Sequence, residues 1–224
     1  MKILNCEQKS AQWFAVRRNI PTGSSLANIV TPKGKAVGAQ KRETYKMELL
    51  YQRLTGKTIE RFPSKAMARG NELEPEARKW FEMNHNVKVK EVGFCLHDDG
   101  FCGVSPDGFV KDNEGLEIKT AMEAPYISKL VKNDVPACNM VQVQACLWVT
   151  GFDRWNFLLY DPRLPNFEAV VRRDEAVISA LEKYVPVFVA ELDAEEAALR
   201  ERYGLPERKK LDLSNLSDDW CPWK

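Results

Sequence analysis

Ser105-Pro-Asp-Gly-Phe-Val-Lys-Asp-Asn-Glu-Gly-Leu-Glu-Ile-Lys119 is the stretch from which the rest of the chain is read. Phe109-Val110 closes one apolar run, Lys111 to Gly115 is turn chemistry, and Leu116 begins a return strand. The stretch therefore predicts a β-hairpin. Side chains alternate faces along a strand, so Glu117 and Lys119 share one face while Leu116 and Ile118 point into an apolar layer. Asp107, at the mouth of the first strand, falls beside Glu117 across the hairpin. Two carboxylates and an ammonium on one face are expensive to desolvate together. A divalent cation between the acids removes their repulsion, and hard oxygen ligands suit Mg2+ or Mn2+. Such an ion lowers the pKa of a bound water and neutralises charge on a phosphate, while an adjacent lysine positions that water or helps deprotonate it. The same spacing also describes a salt-bridged surface hairpin, since Glu-x-Lys and a Pro-Asp turn are both common.

Composition narrows the class. The chain has 224 residues with 44% hydrophobic and 29% charged content, which predicts one domain with a full core and a soluble, globular character. No apolar run approaches a membrane span, and the first residues lack a signal-peptide core. The six cysteines are scattered without a Cys-x-x-Cys pair, which predicts reduced thiols in a cytoplasmic protein rather than disulfides or a zinc site. With only His85 and His97 present, histidine-based chemistry is disfavoured. Charge is unevenly spread. Residues 1–69 carry 14 Lys/Arg against 4 Asp/Glu, and the remainder carries 19 against 28. A basic first third suits phosphates, although a solvated lysine-rich helix face gives the same count.

Outward from the hairpin, the pattern predicts helices, then a mixed sheet, then helices. Helices are expected over 10–19 with Ser10 as cap and Arg17 stacked on the Trp13-Phe14 face, after Pro21 with Ser24 as cap and anion site, and over 40–54 with Met47, Leu50, Tyr51 and Leu54 as the apolar stripe. The basic loop Thr31 to Gly38 lacks a nucleotide P-loop pattern. A further helix over 66–84 buries Leu73, Ala77, Trp80 and Phe81 and takes Pro75 in its first turn or at a kink. Glu74 on it could look inward. A strand is expected over Val87 to Phe94. An apolar helix over 139–150 carries Gln142 and Gln144, one of which should face the site, because a buried amide needs partners. Strands at 155–160 and 167–172 and a long helix from Asp174 to Tyr203 follow. This is α/β, with a central mixed sheet of about five strands flanked by helices, in one domain over 1–224. Its parts are a basic helical segment 1–69, a core 70–173, a helix 174–203 and a polar tail 204–224, in which Trp220 and Trp223 could pack on a neighbour.

These landmarks resemble the lambda exonuclease and YqaJ-like family of phage recombination exonucleases, within the PD-(D/E)xK nuclease superfamily. The resemblance runs over Trp13-Phe-Ala-Val-Arg17, Gly70-Asn-Glu-Leu-Glu74, Ser105-Pro-Asp-Gly108, Leu116-Glu-Ile-Lys119, Met140-Val-Gln-Val-Gln144 and Tyr160-Asp-Pro-Arg163. It implies a restriction-endonuclease-like core and an Mg2+-dependent 5′→3′ exodeoxyribonuclease. Such an enzyme digests one strand of linear double-stranded DNA to mononucleotides and leaves a 3′ overhang for recombination by strand annealing. It also implies a homotrimeric ring and a phage-type single-strand annealing partner in a bacterial host. By the same resemblance, Asp107, Glu117 and the Ile118 carbonyl are metal ligands, and Glu74 lies near a second metal. Lys119 readies the water, and Gln142 contacts that lysine and the substrate. Arg17, Ser24 and Ser105 hold a 5′-phosphate, and Met67 is a strand-separating wedge. The family's second pocket arginine is missing from Thr120 to Ser128, where Lys129 is the nearest substitute. A RecB-like single-strand nuclease, a restriction-type endonuclease and a non-catalytic DNA-end-binding module are the other readings. The last is disfavoured because Asp107, Glu117 and Lys119 are all present.

Overall fold

The computed structural model describes residues 1–59 and 64–208. Trp220 and Trp223 lie outside the described residues. The hairpin forms as β4 (Gly108–Lys111) and β5 (Glu114–Lys119), with Gly108 opposite Leu116 and a register shift between Phe109 and Lys111. Its turn is tighter than the sequence suggests, because Glu114 and Gly115 already belong to β5. A Cβ on Gly115 would overlap the Trp155 ring, so glycine lets the indole lie flat on the strand.

β5 pairs in parallel with β6 (Arg154–Leu159), and β6 pairs antiparallel with β7 (Phe167–Arg172), giving a mixed sheet in the order β4-β5-β6-β7. Period-two alternation decides its two faces. Leu116, Ile118 and Leu158 pack with Ala77 and Phe81 of α3 (Lys65–His85), which runs unbroken through Pro75. Fully burying each such side chain contributes about 1.5–3 kcal/mol. After the short helix α4 (Glu123–Lys132), α5 (Ala137–Thr150) meets the opposite face, which carries Glu117. Nearly every residue of α5 from Val141 to Val149 is buried, the signature of a core helix. It also packs on a second sheet and on α6 (Glu175–Tyr203).

The strands thus divide between two sheets rather than forming a single one of about five. The second sheet has the order β1-β2-β3, from Lys2–Leu4, Phe94–Leu96 and Gly103–Val104. The strand expected over Val87 to Phe94 is shifted to Phe94–Leu96. The backbone before it is otherwise engaged: Gln8 donates to the Val92 carbonyl, the Trp13 indole donates to that of Gly93, and Lys90 makes an isolated antiparallel bridge with Phe109. β1 had no sequence signal beyond three residues of Lys-Ile-Leu.

α1 (Ala11–Arg17) is capped by Ser10, whose Oγ accepts from the Trp13 N–H at 3.2 Å. After Pro21 the chain forms a 3-10 turn, Gly23–Asn28, with Thr22 at its cap. Ser24 therefore sits inside the turn and is not its cap. A Cβ on Gly23 would come within 2.8 Å of Val104, so glycine lets this turn press on β3.

α2 (Ala39–Thr55) buries Tyr45, Lys46, Leu49, Leu50 and Arg53, whereas Met47 and Tyr51 are exposed. The expected apolar stripe is rotated because charged residues own part of the inner face. Arg42 pairs with Glu191 at 2.7 Å, and Lys46 with Glu195 and Arg53 with Asp193 both at 2.5 Å. Part of the basic first third is thus spent on acids of α6 and is not free for phosphates. Among the described residues no helix is long and apolar enough to cross a membrane.

Candidate active site

A cavity of about 190 Å3 opens where β5, α5, α3 and the N-terminal segment converge. Asp107, Glu117, Lys119, Gln142 and Glu74 line it, together with Arg17, Ser24 and Ser105. The acid–lysine group and the basic–hydroxyl group share one space, with Ser105 two residues from Asp107 and Arg17 and Ser24 brought in from the N-terminal segment. A wider cavity of about 510 Å3 lies on the other side of Trp13 and Arg17, but among the described residues lining it Glu48 is the only acid. The carboxylate pair therefore selects the smaller cavity as the chemical one.

The hairpin register places the acids. Asp107 donates its backbone N–H to the Leu116 carbonyl at 3.2 Å, and its Oδ2 accepts from Ile118 N at 2.6 Å. Glu117 is 1% exposed. Its Oε1 accepts from Gln142 Nε2 at 2.6 Å and from the Lys119 ammonium. Of the two glutamines on α5, Gln142 faces the site. Gln144 is buried behind it, donating to the Arg172 carbonyl and accepting from Asp174 N, and so joins β7 to α6. Burial, then the Glu117 charge, pushes the Asp107 carboxyl up to about 8. Burial works against the Lys119 ammonium, but the charges of Glu117 and Asp107 outweigh it and raise its pKa. In this state Lys119 is a committed donor, not a base. Cys146 completes the floor, and burial keeps its thiol protonated.

Whether these groups suit a divalent cation can be tested on the carboxylates. Glu117 Oε2 is buried without a hydrogen-bond partner, and such an orphaned acceptor calls for an explanation. Beside it stands the Asp107 carboxyl, whose ionisation is opposed by the same crowding. The donors are hard oxygens, as Mg2+ or Mn2+ requires, so the residues present fit the ion. No three His, Cys, Asp or Glu side chains form a ready-made metal cluster among the described residues. Glu74 is turned to Arg78 at 2.8 Å and to Lys9 at 3.3 Å.

On the opposite wall, Ser105 Oγ accepts from Arg17 at 2.7 Å and from the Trp13 indole at 3.0 Å. With both acceptor sites used, its O–H is left to donate into the cavity. The Arg17 guanidinium lies over the Trp13 ring at 4.0 Å, and burial lowers its pKa to about 10, so it stays charged at neutral pH. Ser24 is exposed on the 3-10 turn beside it.

Two expected residues fall outside. Met67 is 58% exposed in the first turn of α3 and does not line the cavity, and neither does Lys129. Sequence reasoning missed Gln8, Lys9 and Asn71, which do line it. Only the basic balance of the first third pointed toward Lys9; Asn71 lies in the Gly70-Asn-Glu-Leu-Glu74 motif but carried no expected role, and nothing in the sequence singled out Gln8.

Residues 12–153 match the YqaJ-like viral recombinase domain family. Crystal structures of LHK-Exo, an alkaline exonuclease from Laribacter hongkongensis, superpose with TM-score 0.79 for one and 0.78 for a complex with dAMP. Each is 34% identical, over 87% of this chain and 98% of that one. A phage related exonuclease from Haemophilus somnus 129PT shares the fold, at TM-score 0.62 and 18% identity over 80% of this chain and 96% of that one. The protein ExoD of Escherichia coli (strain K12) is 34% identical over 62 residues, 26% of this chain and 71% of that one.

Proposed function

The chain belongs to the YqaJ-like viral recombinase family, and from that premise we propose that it is an Mg2+-dependent 5′→3′ exodeoxyribonuclease. It digests one strand of linear double-stranded DNA to mononucleotides and leaves a 3′ single-stranded overhang for recombination by annealing. The observation that carries this reading is the joining of Asp107, Glu117 and Lys119 with Arg17, Ser24 and Ser105 in one cavity. The first trio suits phosphodiester hydrolysis and the second suits a terminal phosphate. The 34% identity to LHK-Exo across most of both chains supports the same reading.

Asp107, Glu117 and the Ile118 carbonyl would hold the cation, with Glu74 available for a second. Bound there, it supplies charge neutralisation on the phosphate and a more acidic water. The chain's own residues do the positioning. Gln142 and Lys119 both engage Glu117 Oε1, which leaves Oε2 free as a ligand. Lys119 Nζ, an ammonium with a raised pKa, holds the attacking oxygen by donating to it and meets negative charge on the scissile phosphate. Arg17 and the Ser105 hydroxyl fix the 5′ end, so the bond one nucleotide inward reaches the acids. That order of contacts gives the reaction its direction. Digestion in a bacterial cytoplasm by a homotrimeric ring, handing its strand to an annealing protein, completes the proposal.

The test is digestion of linear duplexes with 5′-phosphate or 5′-hydroxyl ends and of closed circles, in Mg2+ or EDTA, with mass measured in solution. Expected are mononucleotides from linear DNA in Mg2+ only, and intact circles. Nicked circles would make the protein an endonuclease. End binding without cleavage in Mg2+ would make it a binding module.

A further inference from the structure

The cavity holds one cation that the chemistry above leaves without a task. We propose that Lys9 is a specificity-determining residue: its ammonium joins Arg17 on the terminal 5′-phosphate and rests on Glu74 when DNA is absent. This rests on the nuclease reading of the same site.

The backbone delivers Lys9 deliberately. Its φ is +69°, in the left-handed region. The other described non-glycine residues with positive φ are Asn19, Asn86 and Asn133, and asparagine tolerates that conformation through its short polar side chain. Lysine has no such help, so a left-handed lysine marks a position its surroundings enforce. They do so on both sides. Gln8 Nε2 donates to the carbonyls of Val92 at 2.7 Å and Pro106 at 2.8 Å, tying the segment to the mouth of the hairpin. Ser10 is held as the cap of α1. Between these two anchors the Lys9 side chain lines the cavity.

Its present partner holds it loosely. Lys9 Nζ lies 3.3 Å from Glu74 Oε2, and the lysine side chain is 49% exposed. Glu74 has a nearer cation in Arg78 at 2.8 Å, so it stays paired when Lys9 leaves. An exposed ion pair contributes little, and a phosphate competes for the ammonium on favourable terms. The charge count requires such a partner. A terminal phosphate monoester carries about two negative charges near neutral pH, whereas Arg17 brings one positive charge. Lys119 is held at the acids by Glu117 and serves the scissile phosphate, so among the described residues lining the cavity Lys9 is the cation left for the terminal one.

The test uses full-length protein and fluorescent duplexes of one sequence with 5′-phosphate or 5′-hydroxyl ends, binding measured in EDTA. Wild type is expected to prefer the phosphate. Lys9→Ala and Lys9→Gly should lower the preference about tenfold, the loss of one charge-assisted contact, and Lys9→Arg should keep it. Lys9→Gly also relieves the left-handed backbone, so it should melt no lower than wild type, and its loss of preference would not reflect misfolding. Equal wild-type affinity for both ends, an unchanged ratio in the Ala and Gly variants, or an equal loss on both ends would each overturn the assignment. So would a fall in kcat shared by both ends with KM selectivity retained, which would mean that Lys9 acts only by holding Glu74. Cleavage of the same duplexes in Mg2+, with kcat and KM, is scored separately for wild type and the variants. Its absence in wild type defeats the nuclease reading while the binding ratio still decides Lys9.

Discussion

Replacing Asp107 by asparagine should stabilise the metal-free protein while abolishing cleavage. Burial, Glu117 and Glu74 push the Asp107 carboxyl up to about 8 from 3.8. Each unit corresponds to about 1.4 kcal/mol, so the shift sets a ceiling of about 6 kcal/mol on the cost of ionising this group in the fold. Asp107 is only half-buried, and water at its open edge reduces the expected cost to about 2–4 kcal/mol. The sign follows from linkage. A carboxyl whose folded pKa exceeds its unfolded one costs nothing below about pH 4, where both states hold the proton. The cost grows as pH rises from about 4 to about 8, because the unfolded chain has released its proton and the fold has not. Asparagine cannot ionise, and its amide oxygen still accepts from Ile118 N.

Urea unfolding in EDTA should therefore find the two proteins alike at and below about pH 4. By pH 8 the variant should be ahead by about 2–4 kcal/mol, or about 5–12 °C in a melt. On the proposed reading the cation takes the folded, deprotonated site, so Mg2+ should raise the wild-type melting temperature more at pH 8 than at pH 6 and leave Asp107→Asn unmoved. A variant that is no more stable than wild type at pH 8 in EDTA, or a gap independent of pH, would refute the crowded-carboxylate account.

Three further outcomes are expected. Lys119→Ala should retain DNA binding by anisotropy but lose cleavage. It should also cost about 3–5 kcal/mol in EDTA, because Glu117 is left buried without its cation. Near wild-type cleavage would remove Lys119 from the reaction. Gln142→Leu should slow cleavage about 10–100-fold with little change in DNA affinity, as for groups that orient a metal ligand, and single-turnover kinetics would show it. The Asp161 carboxyl, bonded to Arg163 and Arg69 and held at about 2, stabilises the fold fully above about pH 4 and loses that contribution as pH falls toward 2. Asp161→Asn should flatten the acid limb of a pH–stability profile.

What was legible in the sequence was what periodicity and local chemistry encode. The alternation through Leu116-Glu117-Ile118-Lys119 fixed which side chains meet α3 and which meet α5. The need of a buried amide for partners foretold that one glutamine of α5 would reach the site. Ser10 and Asp174 capped helices where they were expected to. The losses have a common cause, which is long-range pairing that competes with local pattern. The stripe on α2 rotated because Lys46 and Arg53 find acids of α6 nearly 150 residues away. The strand before Phe94 failed because Gln8 and Trp13 claim its carbonyls. Lys9 reaches the cavity only because Gln8 is anchored to the backbone beside Pro106, a contact spanning 98 residues. A residue type can be read from a sequence, but its partner across the fold cannot. The residues that tune a site, as distinct from those that perform its reaction, are therefore the ones that coordinates add. In this chain the acids and the lysine of the hairpin carry a local signature, whereas Lys9, the cation proposed to join Arg17 on the DNA end, carries none. A variant series confined to Asp107, Glu117 and Lys119 would measure the rate of the reaction and stay blind to its selectivity. Substitutions at Lys9, Arg17 and Ser105 on the opposite wall of the cavity separate the two.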